Sequence, residues 1–251
     1  MIDPKNWREL QDDITTDALW ISSVSTNNRP MFIIPKRRWD IENDSEFHGL
    51  FIPEIPYQFI SRFCPDGGLV WDCFGGSGTT YRVVEWLNQN TDYTYRLKIT
   101  DLNPKQEYIE FGDVVNYNVG EQCDVVMYHP PYKDIVVYSD DERDGSTIKD
   151  TSKFLEWVGC SADNIIPQLK KGGYLIIVCG NIYENSEEID LGVYVKDEFV
   201  KRGMLCKSHI IKDYGETKGT AGRNYNVNYY RQLKGGYNNF YGDNIFILKK
   251  K

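Results

Sequence analysis

The chain has no C-x-x-C pair, no phosphate-binding glycine loop with its lysine, and only three histidines in 251 residues. Each absence removes a class of chemistry. The six cysteines (Cys64, Cys73, Cys123, Cys160, Cys179, Cys206) are scattered, mostly beside apolar residues. They read as small buried hydrophobes in a reducing compartment rather than ligands or bridges. His48, His129 and His209 lack ligand spacing, so metal chemistry finds little support. The N-terminus shows no apolar signal-peptide core, and no later run has the length to span a bilayer. A soluble, cytoplasmic protein is the expectation. Internal repeats and low-complexity tracts are not evident either.

Positive charge is also scarce overall: 37 acidic residues against 29 basic ones give a net charge of −8. That balance argues against a nucleic-acid partner, whose phosphates are neutralised by Lys and Arg. The distribution points the other way. From Cys206 onward nine basic residues face three acidic ones, a local charge of +6, so a polyanion should meet the C-terminal part.

What is present is an alternation of strands and helices. Residues 1–47 show no clear period and are taken as an N-terminal extension. From Pro53, the spacing of Ile55, Phe59, Ile60 and Phe63 predicts a helix. Leu69 to Phe74 predicts a buried strand, Gly75 to Gly78 a loop, and Thr79 to Asn88 a helix with Val83, Val84 and Leu87 inward. Further strands are expected at Tyr95 to Thr100, Ile109 to Phe111 and Asp124 to Tyr128. A helix is expected over Thr151 to Lys170, ended or bent by Pro167, with Phe154, Leu155, Val158, Ile165, Ile166 and Leu169 inward. Lys171-Gly172-Gly173 should turn into a strand at Tyr174 to Cys179. A helix at Val193 to Arg202, capped by Gly203, precedes two last strands at Leu205 to Lys212 and Asn244 to Leu248. This order predicts an α/β fold, a mostly parallel sheet covered by helices on both faces.

Two turns carry the chemistry. The first, Asp72-Cys73-Phe74-Gly75-Gly76-Ser77-Gly78-Thr79-Thr80, matches neither G-x-x-x-x-G-K-[ST] nor G-x-G-x-x-G, which weakens phosphate and dinucleotide readings. Asp101 follows Gly78 by about the twenty residues expected of a ribose-binding carboxylate, and Asp113 ends the next segment. Three carboxylates around a glycine loop suit a ligand with ribose hydroxyls, an amino group and a cation, as S-adenosyl-L-methionine has. The bland alternative is a tight turn with solvated acids. The second turn is His129-Pro130-Pro131-Tyr132. An exocyclic base amine is a poor nucleophile because its lone pair is delocalised into the ring. Hydrogen-bond acceptors must hold its hydrogens so that the nitrogen turns pyramidal. A carbonyl in a proline-fixed turn, that of Pro130, is one such acceptor and the His129 side chain another, while Tyr132 is placed to stack on a flipped base. Packing and strand capping are the structural alternatives for His129 and Tyr132.

On these residues the sequence resembles the DNA amino-methyltransferases, the adenine-N6 and cytosine-N4 enzymes. Their cofactor motif is similar to Asp72 to Thr80, and their catalytic motif is Asp, Asn or Ser followed by Pro-Pro-Tyr. The upstream stretch His48 to Pro56 also looks like the segment that closes over the methionine end of the cofactor. The resemblance covers roughly His48 to the C-terminus. It implies a Rossmann-like S-adenosyl-L-methionine-dependent fold with a seven-stranded sheet, and a catalytic domain over residues 48–251. Implied cofactor contacts are Phe51, Pro53, Asp72, Phe74, Gly75, Gly76, Ser77, Gly78, Thr79, Thr80, Asp101 and Asp113. His129, Pro130, Pro131 and Tyr132 would hold the target amine and base, adenine N6 slightly ahead of cytosine N4. A homodimer, a restriction partner and work at the nucleoid belong to the same picture. His129 departs from the usual acid or amide. A neutral imidazole accepts a hydrogen bond but imidazolium cannot, so methyl transfer is expected to decline as His129 protonates at mildly acidic pH.

For DNA, the candidate recognition loop is 214–243, whose Lys218, Arg223, Tyr225, Arg231 and Lys234 combine phosphate and stacking chemistry. A surface loop packed on the domain is the alternative. The charged loop 133–150 is a candidate to close over the base. An RNA guanine-N2 or protein-amide methyltransferase and a catalytically silent binding module are the other functions these residues leave open.

Overall fold

The computed structural model describes residues 52–213, 233–236 and 242–251, with the backbone of residues 19 and 20. In chain order the elements are β1 (Leu19–Trp20), α1 (Glu54–Phe63), β2 (Leu69–Asp72), α2 (Thr79–Asn90), β3 (Arg96–Asp101), β4 (Glu110–Phe111) and β5 (Cys123–Tyr128). There follow α3 (Thr151–Gln168), β6 (Leu169–Gly180), β7 (Ile182–Glu184), β8 (Glu187–Ile189), α4 (Leu191–Lys201), β9 (Leu205–Asp213) and β10 (Gly242–Lys249).

One sheet has the order β1-β9-β10-β6-β5-β2-β3-β4, and β7 and β8 form a separate hairpin. Every neighbouring pair in the large sheet is parallel except those made by β10, which runs against both β6 and β9. The seven expected strands are all there; β1, two residues long, adds an edge from the segment that sequence left unassigned. Strand β5 is buried along its whole length, as a central parallel strand covered on both faces must be. Its alternation divides the core. Val126 and Tyr128 pack with Phe154, Val158 and Phe199 of α3 and α4, whereas Val125 and Met127 pack with Phe59 and Val83 of α1 and α2.

From β2 the chain winds outward to β3 and β4, then crosses back to β5 and β6. Strands β2 and β5 are therefore neighbours whose connections leave in opposite directions. A crevice opens at the carboxyl ends of such a pair, and open α/β sheets bind ligands there.

The junction of α3 and β6 departs from expectation. The helix ends at Gln168, one residue past Pro167, and Leu169 opens β6 instead of lying on the helix. Lys250 explains the stop: its ammonium donates to the carbonyls of Ile166 at 2.7 Å and Leu169 at 2.5 Å, capping the negative end of the helix. Lys171-Gly172-Gly173 lies inside β6 as an irregularity, with Gly172 at φ +79° and a register jump against β5. Among the described residues no helix is long and apolar enough to cross a membrane.

Asp124 fastens three strands. Its Oδ2 accepts from the Leu69 amide at 2.8 Å and from Lys170 Nζ at 2.8 Å. Replacing it leaves a buried amide unpaired, so Asp124→Ala should lower the unfolding free energy by about 1–3 kcal/mol. Urea titration of both proteins measures the difference.

Candidate active site

The two turns found in the sequence leave β2 and β5 side by side. Asp72 is in register with Met127, and the next residue closes the gap. The Cys73 amide donates to the Met127 carbonyl at 3.4 Å, and its Sγ lies 3.2 Å from the same oxygen. Burial pushes the Cys73 thiol well above its ordinary range, so it is packing material rather than a nucleophile.

Asp72 points inward. It is 1 % exposed, Oδ1 accepts from the Phe74 amide at 3.1 Å, and Oδ2 pairs with Thr80 Oγ1 at 2.5 Å. The carboxyl group thus ties the end of β2 to the first turn of α2, and burial raises its pKa to about 7 against those two bonds. Asp72, Gly78 and Thr80 shape the turn from behind and do not line the cavity beside it; Pro53 does not line it either. Gly78 has φ +84°, and a Cβ there would meet the Tyr108 hydroxyl at 2.3 Å. Gly75 is equally confined: a Cβ would approach Ile99 at 2.9 Å and Ile109 at 3.0 Å. Outside the turn, Arg82 Nη1 donates to the Ser77 carbonyl at 2.7 Å and Tyr81 stacks on Tyr108 at 3.9 Å.

A single cavity of ≈ 290 Å³ extends from this turn to the second one. At one end it is lined by Phe74, Gly75, Gly76, Ser77 and Thr79, with Asp101 and Asp113. Asp101 receives the Gly76 amide on Oδ2 and the Asn103 amide on Oδ1, both at 2.8 Å. Asp113 receives the Val115 amide and Asn116 Nδ2, each at 3.0 Å. A carboxylate has about four lone-pair sites, so each keeps capacity for a ligand hydroxyl or amine. At the other end stand His129, Pro130, Pro131, Tyr132 and Asp243. Tyr138, Arg143 and Trp157 also line the space. The loop containing the first two is folded onto it: Trp157 Nε1 donates to the Arg143 carbonyl at 3.1 Å, and Asn103 Nδ2 reaches the Tyr138 carbonyl at 3.4 Å.

His129 lies deep in the protein with part of its surface open to the cavity. Burial lowers its pKa to about 4; Asp243 pulls it up and Lys212 pushes it down, both more weakly. The expected loss of the neutral form at mildly acidic pH is thereby displaced toward pH 4, and the imidazole stays neutral across the physiological range. Its Nε2 is 3.3 Å from the Tyr132 hydroxyl, which donates to Asp243 Oδ1 at 2.8 Å. Beyond Tyr132, Lys133 takes φ +56° and is 1 % exposed. Its ammonium pairs with Glu184 at 2.6 Å, fastening the second turn to the β7–β8 hairpin.

Asn103 and Trp157 were missed in sequence, whereas Arg143 lies in the 133–150 loop expected to close over the base and Asp243 ends the 214–243 segment taken as the recognition loop. Asp243 is 111 residues from Tyr132, and only the pairing of β10 with β6 brings it in. Phe51, Lys218, Arg223, Tyr225 and Arg231 lie outside the described residues, and Lys234 is exposed. Among the described residues no group of three or more His, Cys, Asp or Glu could hold a metal ion.

No family model matches the chain, and no curated protein matches it in sequence. Solved structures match it in fold. TrmN from Thermus thermophilus superposes with a TM-score of 0.51 at 13% identity, over 80% of this chain and 49% of TrmN. A protein described as a class I S-adenosylmethionine-dependent methyltransferase from Listeria monocytogenes gives 0.51 at 15%, over 81% and 63%. The cyclase SpnF gives 0.50 at 12%, over 79% and 81%. The chain spans about half the length of TrmN. The fold is the Rossmann-like fold of class I methyltransferases. SpnF is a cyclase on that fold, so the reaction has to be argued from the site.

Asp72 gives a pH test of the first turn. Its folded pKa lies above the ordinary carboxyl value of 3.8. Its contribution to stability is therefore full below that value and lost as pH rises toward about 7. Thermal unfolding of the wild type and Asp72→Asn across that window should show a falling component in the wild type that the variant lacks.

Proposed function

We propose that this protein is an S-adenosyl-L-methionine-dependent methyltransferase that modifies an exocyclic amine of a DNA base, adenine N6 ahead of cytosine N4. One observation carries the reading: the glycine turn with Asp101 and Asp113, and the His-Pro-Pro-Tyr turn, open into the same cavity. The residues at the glycine turn fit the cofactor. The close approach of Ile99 and Ile109 to Gly75 leaves bare backbone at the ligand face, and Asp101 retains lone pairs for ribose hydroxyls. Asp113 and the neighbouring Val114 border the same space and suit the adenine. When bound, the cofactor supplies an electrophilic methyl group on a sulfonium.

The chain's own residues prepare the amine. The Pro130 carbonyl, fixed by its ring and by Pro131, accepts one amine hydrogen, and the neutral His129 imidazole accepts the other. Drawing both hydrogens out of the base plane localises the lone pair on nitrogen, and two oriented acceptors do this without solvent reorganisation. Tyr132, its hydroxyl engaged by Asp243, offers a fixed ring for base stacking. The basic, tyrosine-rich 214–243 segment supports DNA as the polyanion it faces.

Tritiated S-adenosyl-L-methionine offered with DNA, RNA and protein in parallel tests the assignment. Label is expected in DNA and, after digestion to nucleosides, in N6-methyladenine or N4-methylcytosine. His129→Ala should lower kcat by roughly 10²-fold or more with little change in cofactor binding. Label confined to RNA or protein redirects the substrate; no label in any of the three refutes the reaction.

A further inference from the structure

Residues 138–145 are fastened at the end of the cavity where the carboxylates of the first turn stand. Asn103 Nδ2, two residues past Asp101, donates to the Tyr138 carbonyl at 3.4 Å, and the Asn103 amide is itself held by Asp101 at 2.8 Å. The Arg143 carbonyl accepts from Trp157 Nε1 at 3.1 Å, and the Trp157 ring lies 6.1 Å from that of Phe74 in the glycine turn. Gly145 packs so closely on the same indole that a Cβ would meet its ring at 2.8 Å. Within the segment, Asp144 accepts from Ser139 Oγ and from the Ser146 amide, both at 2.8 Å. The segment is thus tied to itself and to the cofactor end, and Tyr138, Arg143, Asp144 and Gly145 all line the cavity.

Arg143 is held in one orientation. Its Nε and Nη2 donate to the two oxygens of Asp141 at 2.9 and 2.6 Å, a paired geometry that fixes the guanidinium plane. Cζ lies 5.5 Å from the centre of the Phe111 ring, which stands on β4 two residues before Asp113. The guanidinium pKa is raised, first by the Asp141 bond and more weakly by the charge of Asp113. Such a plane stacks on flat aromatic rings, and the adenine at this end of the cavity is one. We propose that Arg143 is a cofactor-binding residue that closes the adenosine end of the cavity, with the 138–145 segment as its mount. The proposal rests on the cofactor assigned above and not on the identity of the methyl acceptor. Over this part, the loop expected to close over the target base serves the cofactor.

Titration calorimetry of the full chain with S-adenosylhomocysteine, and with its nucleoside fragment methylthioadenosine, tests this without turnover. Arg143→Ala should weaken both ligands by the same factor, roughly five- to tenfold, because the lost contact is with the part they share. Arg143→Lys should recover little, since an ammonium keeps the charge without the plane. Asp141→Ala releases the guanidinium and should weaken binding by about twofold or more in the wild type, yet add nothing in the Arg143→Ala background. The Arg143 and Asp141 side chains are 49 % and 32 % exposed, so these substitutions open no buried core. Unchanged affinity in Arg143→Ala, or a loss for S-adenosylhomocysteine that methylthioadenosine does not share, overturns the proposal and leaves the cofactor assignment intact. Failure of the wild type to bind either ligand refutes the cofactor assignment and the proposal with it.

Discussion

The parallel pairing of β2 with β5 is the constraint on which the site depends. Val70, Trp71 and Asp72 lie in register with Val125, Val126 and Met127, and all six residues are buried. A slip of one residue would turn every side chain to the opposite face and exchange those packed on α1 and α2 with those packed on α3 and α4. Register being fixed, the carboxyl ends of the two strands fall level, and the turns that follow must emerge as neighbours. The Cys73–Met127 contacts then join them directly. The two halves of the chemistry meet because the sheet leaves them no other place.

Each turn is held from behind by a group that does not meet the cavity. The Asp72 carboxyl joins Phe74 to Thr80 across the first turn, with Arg82 and Tyr108 bracing the Ser77 carbonyl. On the second, the buried Lys133 ammonium is compensated by Glu184, as a buried charge must be. The left-handed backbone at that lysine is a conformation that persists where surroundings over-determine it. The consequence is a rigid pair of turns facing a cavity lined by carboxylates and aromatic rings. In the proposed function, such preorganisation would let two weak acceptors act on a poor nucleophile.

Much of this was legible in the sequence, for identifiable reasons. The helical spacing of Ile55, Phe59 and Ile60 and the apolar run of β5 report burial, and burial follows period. Asp101 was found by its distance from the glycine turn, because a strand–helix–strand unit has a nearly fixed length. What sequence could not show was direction and distance. Nothing local says that Asp72 turns toward Thr80 rather than toward a ligand. Lys250 looks like a tail until the antiparallel return of β10 sets it against the end of α3. The protonation of His129 is a property of its depth and of Asp243 and Lys212, which arrive from β10 and β9. Long-range pairings decide these features, and composition records none of them.

The central claim is that one cavity holds both cofactor and target amine. A crystal structure of the protein soaked with S-adenosylhomocysteine tests it most directly. The account predicts the ribose on Asp101, the adenine beside Asp113, and the sulfur directed toward the Pro130 carbonyl and His129. A ligand bound elsewhere, or one whose sulfur faces away from the His-Pro-Pro-Tyr turn, would contradict it.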